Sequence, residues 1–140
     1  WGMVGIEWGK PIFVTFIREN RFTRSLIEKT GEFTVSIPID DSAKKILGFC
    51  GSKSGRDIDK AREIGLTYEE PEMTSVPGVK ELPLTLECKV VYKQTQDTEA
   101  MTEENREKFY PQNVESSFSG ANRDTHIAYY GEIVDAYVIE

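Results

Sequence analysis

Residues 11–23 read Pro-Ile-Phe-Val-Thr-Phe-Ile-Arg-Glu-Asn-Arg-Phe-Thr. Ile12 through Ile17 are all good β-formers, so Pro11 to Arg18 is expected to be a strand. A near-continuous apolar run of this kind is buried on both faces, as in a barrel or sandwich core. Asn20 then stands where it can cap a helix from Arg21 to Thr30, with Phe22, Leu26 and Ile27 on one face and Gly31 as the stop. A strand that ends on a helix start offers free N–H groups and the positive end of a helix dipole, which favour an anion. Arg18 and Arg21 add forked charged donors, and Thr23 adds a hydroxyl. The same residues also read as a capped surface helix whose arginines pair with Glu19 and Glu28.

Working outward, Phe33 to Pro38 alternates Phe33, Val35 and Ile37 against Thr34 and Ser36, which predicts a second strand. Asp41 and Ser42 can start another helix, weakened towards its end by Gly48 and Gly51. Ser52 to Gly55 reads as a turn, Asp57 to Ile64 as a short helix, and Leu66 to Glu70 as a short strand. Pro71, Pro77 and Gly78 mark an irregular loop. Leu84 to Gln94 is the clearest strand, with Leu84, Leu86, Cys88, Val90 and Tyr92 alternating against polar or charged positions. Asp97 to Asp124 is polar and reads as a long excursion, with Thr102 to Asn105 able to open a short helix; such excursions are more often functional than inert. His126 to Glu140 closes the chain as a strand in which Gly131 suggests a bulge or bend. The pattern is about six strands with two or three short helices between them, a mainly β, antiparallel barrel-like fold rather than repeating βαβ units.

The 140 residues suit one domain. Asp+Glu number 24 against 17 Lys+Arg, a net charge of −7, so a nucleic-acid backbone is repelled on average. No run approaches the ~18 apolar residues of a membrane span. Two cysteines are too few for a disulfide framework, and one His beside them argues against an ordinary zinc site, so no metal is expected. A reduced, cytoplasmic protein is the expectation. The opening Trp1-Gly2-Met3-Val4-Gly5 lacks an initiator Met and looks like a chain entered mid-element, with an N-terminal strand segment upstream.

The second candidate run is Cys50-Gly51-Ser52-Lys53-Ser54-Gly55-Arg56-Asp57-Ile58-Asp59-Lys60. Its glycines let backbone approach a ligand, and its serines, Lys53, Arg56 and Lys60 can donate to phosphate or ring carbonyls. It follows no strand and lacks the closing Gly-Lys-Ser/Thr of a P-loop. It also reads as a solvated turn between helices with Asp57 as a cap. Cys88, within an alternating strand, is expected in the core. His126 reads either as a polar strand-edge residue or as a functional one. Aromatics such as Trp8, Tyr92, Tyr110, Tyr129 and Tyr130 read as core or interface, although one of them could cover a ring face.

Together the two runs resemble the flavin reductase-like family of FMN-binding split barrels, and within it the flavoredoxin-like branch. The matching stretches are Phe13 to Arg18 with Arg21-Phe22-Thr23, Gly31 to Pro38, Gly51 to Lys60, Leu82-Pro83-Leu84, Glu87-Cys88, and His126 with Gly131-Glu132-Ile133. The resemblance implies a six-stranded antiparallel split β-barrel with short helical insertions, one flavin-binding domain over residues 1–140, and a homodimer. It implies that Arg18, Asn20, Arg21 and Thr23 hold the FMN phosphate and that Trp1 and Gly2 border the flavin. Cys50, Gly51, Ser52, Ser54 and Gly55 would line the ribityl chain or pyrimidine edge, and Arg56, Asp57 and Lys60 would order that loop. His126 would lie beside the isoalloxazine. The implied activity is electron or hydride transfer from NAD(P)H through FMN to an acceptor. The alternatives are an electron carrier fed by a redox protein partner and, from another class, a non-enzymatic barrel for a phosphorylated ligand.

Overall fold

The computed structural model describes residues 2–115 and 123–140. Its large sheet has five antiparallel strands in the order β1-β2-β7-β6-β3. These are β1 (Gly2–Glu7), β2 (Lys10–Arg18), β3 (Glu32–Ile37), β6 (Leu84–Thr95) and β7 (His126–Val138). A separate pair joins β4 (Tyr68–Glu69) to β5 (Gly78–Val79). The helices are α1 (Phe22–Thr30), α2 (Lys44–Ser52), α3 (Lys60–Ile64) and α4 (Glu103–Phe109). Against the expected six strands the described residues hold seven, five in one sheet plus a small pair, and the large sheet does not close on itself. Among the described residues no helix is long and apolar enough to cross a membrane.

The sequence reading starts the first strand at Pro11 and misses β1, because Gly2 and Gly5 break its apolar pattern. The β1–β2 hairpin turns on Trp8 and Gly9, both at positive φ (54° and 70°), the geometry of the tight turns that match strand twist. A non-glycine residue in that region is strained, and the Trp8 ring is braced by Tyr92 and Tyr130, with centroids 6.2 and 6.3 Å away.

On one face of the sheet Ile27 from α1 packs on Phe33, Cys88, Ile127 and Tyr129. The glycine at position 131 has a packing reason: a Cβ there would stand 2.6 Å from the Phe33 ring and 2.8 Å from Cys88 Cβ. The expected irregularity near Gly131 is present as a register shift between Val90 and Tyr92 on the partner strand β6.

The other side of β3 and β6 departs from the sequence reading. Thr34 pairs with Glu87 and Ser36 with Thr85, a polar stripe that alternation assigns to solvent. Thr85 and Glu87 are instead 0% exposed. The segment around residues 72–79 lies over them and its backbone bonds Thr34, Ser36 and Glu87, while the buried Thr85 hydroxyl has no hydrogen-bond partner among the described residues. The Glu87 carboxylate accepts from the N–H groups of Glu72, Met73 and Thr74 at 2.7–2.8 Å, and from the hydroxyls of Thr74 and Tyr137 at 3.0 Å. Burial pushes its pKa up, but the backbone hydrogen bonds outweigh that and hold it below the usual 4.5. Glu32 accepts from the N–H and hydroxyl of Ser75 at 2.8 and 2.6 Å, which tethers the same segment.

Helix boundaries shift by a residue or two. α1 begins at Phe22, with Arg21 as its N-cap, and no side chain caps it; Asn20 is not the cap. Gly31 is the C-cap at φ 68°, as expected. A 3₁₀ turn over Asp41–Ala43 precedes α2, which runs through Gly48 and Gly51 to Ser52. α3 is only Lys60–Ile64, and its cap is Asp59 rather than Asp57, with the Asp59 carboxylate accepting from Arg62 N–H at 3.1 Å.

Candidate functional site

The two candidate runs, 36 residues apart along the chain, converge on one open groove of about 1570 Å³. From the end of β2 and the start of α1 come Arg18, Asn20, Arg21 and Thr23. From the last turn of α2 come Cys50, Gly51 and Ser52. The following turn and the start of α3 supply Ser54, Gly55, Arg56, Asp57 and Lys60, and His126 comes from the first residue of β7. Trp1 lies outside the described residues. Gly2 does not line the groove; it pairs with Thr15, and a Cβ there would meet the Val14 carbonyl and, at 2.5 Å, the Phe13 ring.

The convergence is built by direct contacts. Arg56 donates through Nη1 to the Asn20 carbonyl at 2.9 Å, and its guanidinium lies 5.6 Å from the centroid of the Phe22 ring. Gly55 lets the turn sit on that ring, since a Cβ there would fall 2.9 Å from Phe22 Cδ1. Lys60 donates to the Cys50 carbonyl at 2.5 Å, placing a cation on the negative end of α2. Ser54 Oγ accepts from Arg56 N–H at 3.2 Å.

Arg18 is committed to the protein. It donates to the carbonyls of Asp124 at 2.6 Å and Phe109 at 2.9 Å, and stands 4.9 Å from the Tyr110 ring centroid. Glu28, the partner the surface-helix reading gave to the arginines, instead pairs with Lys93 at 2.7 Å and accepts from Tyr129 at 2.7 Å. Among the described residues the side chains of Arg21 and Lys53 make no hydrogen bond or ion pair. Two cations beside a helix start with no side-chain cap, where Arg24 N–H turns back to the Arg21 carbonyl at 3.1 Å but the Phe22 and Thr23 N–H groups precede the first intrahelical bonds, form an anion-receptive corner in an acidic chain.

His126 lies at the other side of that corner. Burial, and after it the Arg18 charge, hold its pKa below the ordinary 6.5, so the ring is neutral at physiological pH. Its Nδ1 is 2.7 Å from the Tyr110 hydroxyl. Leu26 and Tyr68 also border the groove and were missed from the sequence. For Tyr68 the available signal was an aromatic on the short predicted strand that follows Gly65.

The family model described as "Flavin reductase like domain" matches residues 5–140. The chain belongs to the flavin reductase-like family. This flavin reductase-like domain is 33% identical over 89 residues to an uncharacterized protein of Archaeoglobus fulgidus, a match covering 64% of this chain and 50% of that protein. It superposes on the flavoredoxin of Desulfovibrio vulgaris with a TM-score of 0.70 at 24% identity, over 100% of this chain and 59% of that one. The corresponding values for the flavoredoxin of Methanosarcina acetivorans are 0.67, 25%, 100% and 59%. The fold is therefore the split barrel expected from the sequence, with short helices and an open sheet. The flavin reductase-like domain spans half to three-fifths of the length of these relatives.

Proposed function

We propose that residues 1–140 form an FMN-binding domain and that the groove holds FMN non-covalently. The observation that carries this reading is the corner where Arg21 and the uncapped start of α1 face the Lys53 turn, a donor set matched to a phosphate monoester. The fit extends beyond the phosphate: the groove is large enough for a flavin nucleotide and mixes hydroxyls, main-chain groups and apolar side chains. Arg21, Thr23 and the N–H groups of Phe22 and Thr23 would hold the phosphate, with Arg18 and Asn20 shaping the turn beneath it. Cys50 through Gly55 would line the ribityl chain or the pyrimidine edge. Arg56 and Lys60 order that lining through their bonds to Asn20 and Cys50, with Asp57 in the same turn, and His126 would lie near the ring system.

FMN, when bound, supplies the redox chemistry, and the protein supplies placement, electrostatics and access. The reading is a flavoprotein that takes electrons from NAD(P)H and passes them to an acceptor. A carrier fed by a redox protein partner is the second reading, favoured by the likeness to the Methanosarcina acetivorans flavoredoxin. A homodimer completes the proposal: Met3, Val4 and Ile6 of edge strand β1 are 59%, 62% and 84% exposed, and a second copy would cover them.

Anaerobic absorbance titration of the FMN-loaded protein with NADH and with NADPH tests the reading. Bleaching of the flavin bands by either nicotinamide supports the reductase. A flavin that stays oxidised with both, yet is reduced by a protein donor, supports the carrier, and a protein that takes up no FMN overturns both.

A further inference from the structure

We propose that Gln96 and Tyr110 lock the chain's single histidine in one tautomer, so that His126 offers an unprotonated Nε2 to the groove as a hydrogen-bond acceptor. The argument follows the protons. His126 N–H donates to Gln96 Oε1 at 3.1 Å, and Gln96 N–H donates to the His126 carbonyl at 3.0 Å. A main-chain N–H needs an acceptor, so the side-chain amide of Gln96 must present its oxygen there and not its NH₂. The Tyr110 hydroxyl donates to that same oxygen at 2.7 Å, which uses its only proton. The Tyr110 oxygen is then an acceptor towards His126 Nδ1, 2.7 Å away, and Nδ1 must carry the hydrogen.

The relay is held in place. Tyr110 is 7% exposed, and Arg18 packs on its ring while gripping the Phe109 and Asp124 carbonyls on either side. Nε2 is the ring's one remaining polar atom, and it carries no proton in the neutral imidazole. Protonation to the cation changes Nε2 alone and leaves the relay intact. In a groove that also presents the Arg21 and Lys53 cations, His126 therefore favours a ligand that carries an anion at one end and an N–H or O–H at the other. This last step deepens the FMN reading and rests on it, whereas the tautomer does not.

Tyr110 and Gln96 are positioning residues, and the test reads the tautomer itself. Uniformly ¹⁵N-labelled full chain, without ligand, gives one pair of imidazole nitrogens in a long-range ¹H–¹⁵N correlation, because there is one histidine. The expected result is a protonated, pyrrole-like Nδ1 and a pyridine-like Nε2. The opposite assignment in the wild type overturns the proposal whatever the variants do. Gln96→Leu frees the Tyr110 hydroxyl to donate to Nδ1 and should move the proton to Nε2. Gln96→Glu keeps an oxygen acceptor and should preserve the wild-type pattern. An unchanged tautomer in a folded Gln96→Leu overturns the relay. If Gln96→Leu does not fold, Tyr110→Phe replaces it, with loss of the pure Nδ1–H form expected and retention overturning the relay. Titration with FMN should then shift the Nε2 resonance. FMN that binds without moving it overturns the acceptor role, and FMN that does not bind at all counts against the flavin reading while the ligand-free tautomer result stands.

Discussion

Arg56 donates to the main-chain carbonyl of Asn20 across 2.9 Å, joining the turn before α1 to the glycine-rich turn before α3. The bond fixes the distance between the two halves of the groove. Its guanidinium also lies near the Phe22 ring, so charge, hydrogen bond and packing act at one junction.

Arg56→Ala should therefore loosen the groove without unfolding the sheet. FMN affinity is expected to fall roughly tenfold, the equivalent of about 1.4 kcal/mol. Arg56→Lys should recover only part of this loss, because an ammonium lacks the planar fork. Flavin fluorescence titration of both variants checks the order.

Glu87→Gln should do the reverse. An amide cannot accept all the main-chain N–H bonds that the Glu87 carboxylate takes from residues 72–74, and the site is fully buried. A loss of about 2–3 kcal/mol is expected in chemical denaturation, with FMN affinity close to wild type because Glu87 does not line the groove.

The same carboxylates set the acid limb of stability. The pKa values of Glu87 and Glu32 are lowered from 4.5 in the folded chain, so their contribution is complete above about that pH and disappears as pH falls through their folded values. Unfolding free energy measured from neutral pH downwards should decline below about pH 4.5, and Glu87→Gln should flatten that decline.

The two thiols should separate cleanly. Burial, with the Glu87 charge behind it, pushes the Cys88 pKa up to about 12, and its side chain is fully enclosed. Cys50 is partly exposed and lines the groove. A thiol reagent should label Cys50 and spare Cys88 in the native protein, and saturating FMN should slow the labelling. Equal labelling of both residues contradicts this placement.

Much of this was legible in local sequence. The Ile12 to Ile17 run, the Phe33, Val35, Ile37 alternation and the Gly31 stop carry local conformational signals, and they lie where those signals put them. What was not legible depends on distant partners. Thr34, Ser36 and Glu87 look solvent-facing by alternation, and only the 72–79 segment, itself without periodicity, makes that face an interior one. Strand β1 was hidden by its glycines, and its hairpin relies on Trp8 finding Tyr92 and Tyr130 far along the chain. Within the groove, residue types announced the donors. That Arg18 would be committed to Phe109 and Asp124 while Arg21 stays uncommitted could not be read from spacing, because it depends on how the 97–124 excursion returns.

The phosphate assignment is tested by the affinity of the purified protein for FMN and for riboflavin, each measured in the wild type and in Arg21→Ala. The wild type should bind FMN at least about tenfold more tightly than riboflavin, as a charged hydrogen bond of about 1.5–3 kcal/mol requires, and Arg21→Ala should close most of that gap. Equal wild-type affinities for FMN and riboflavin, or a gap that a folded Arg21→Ala leaves intact, would contradict it.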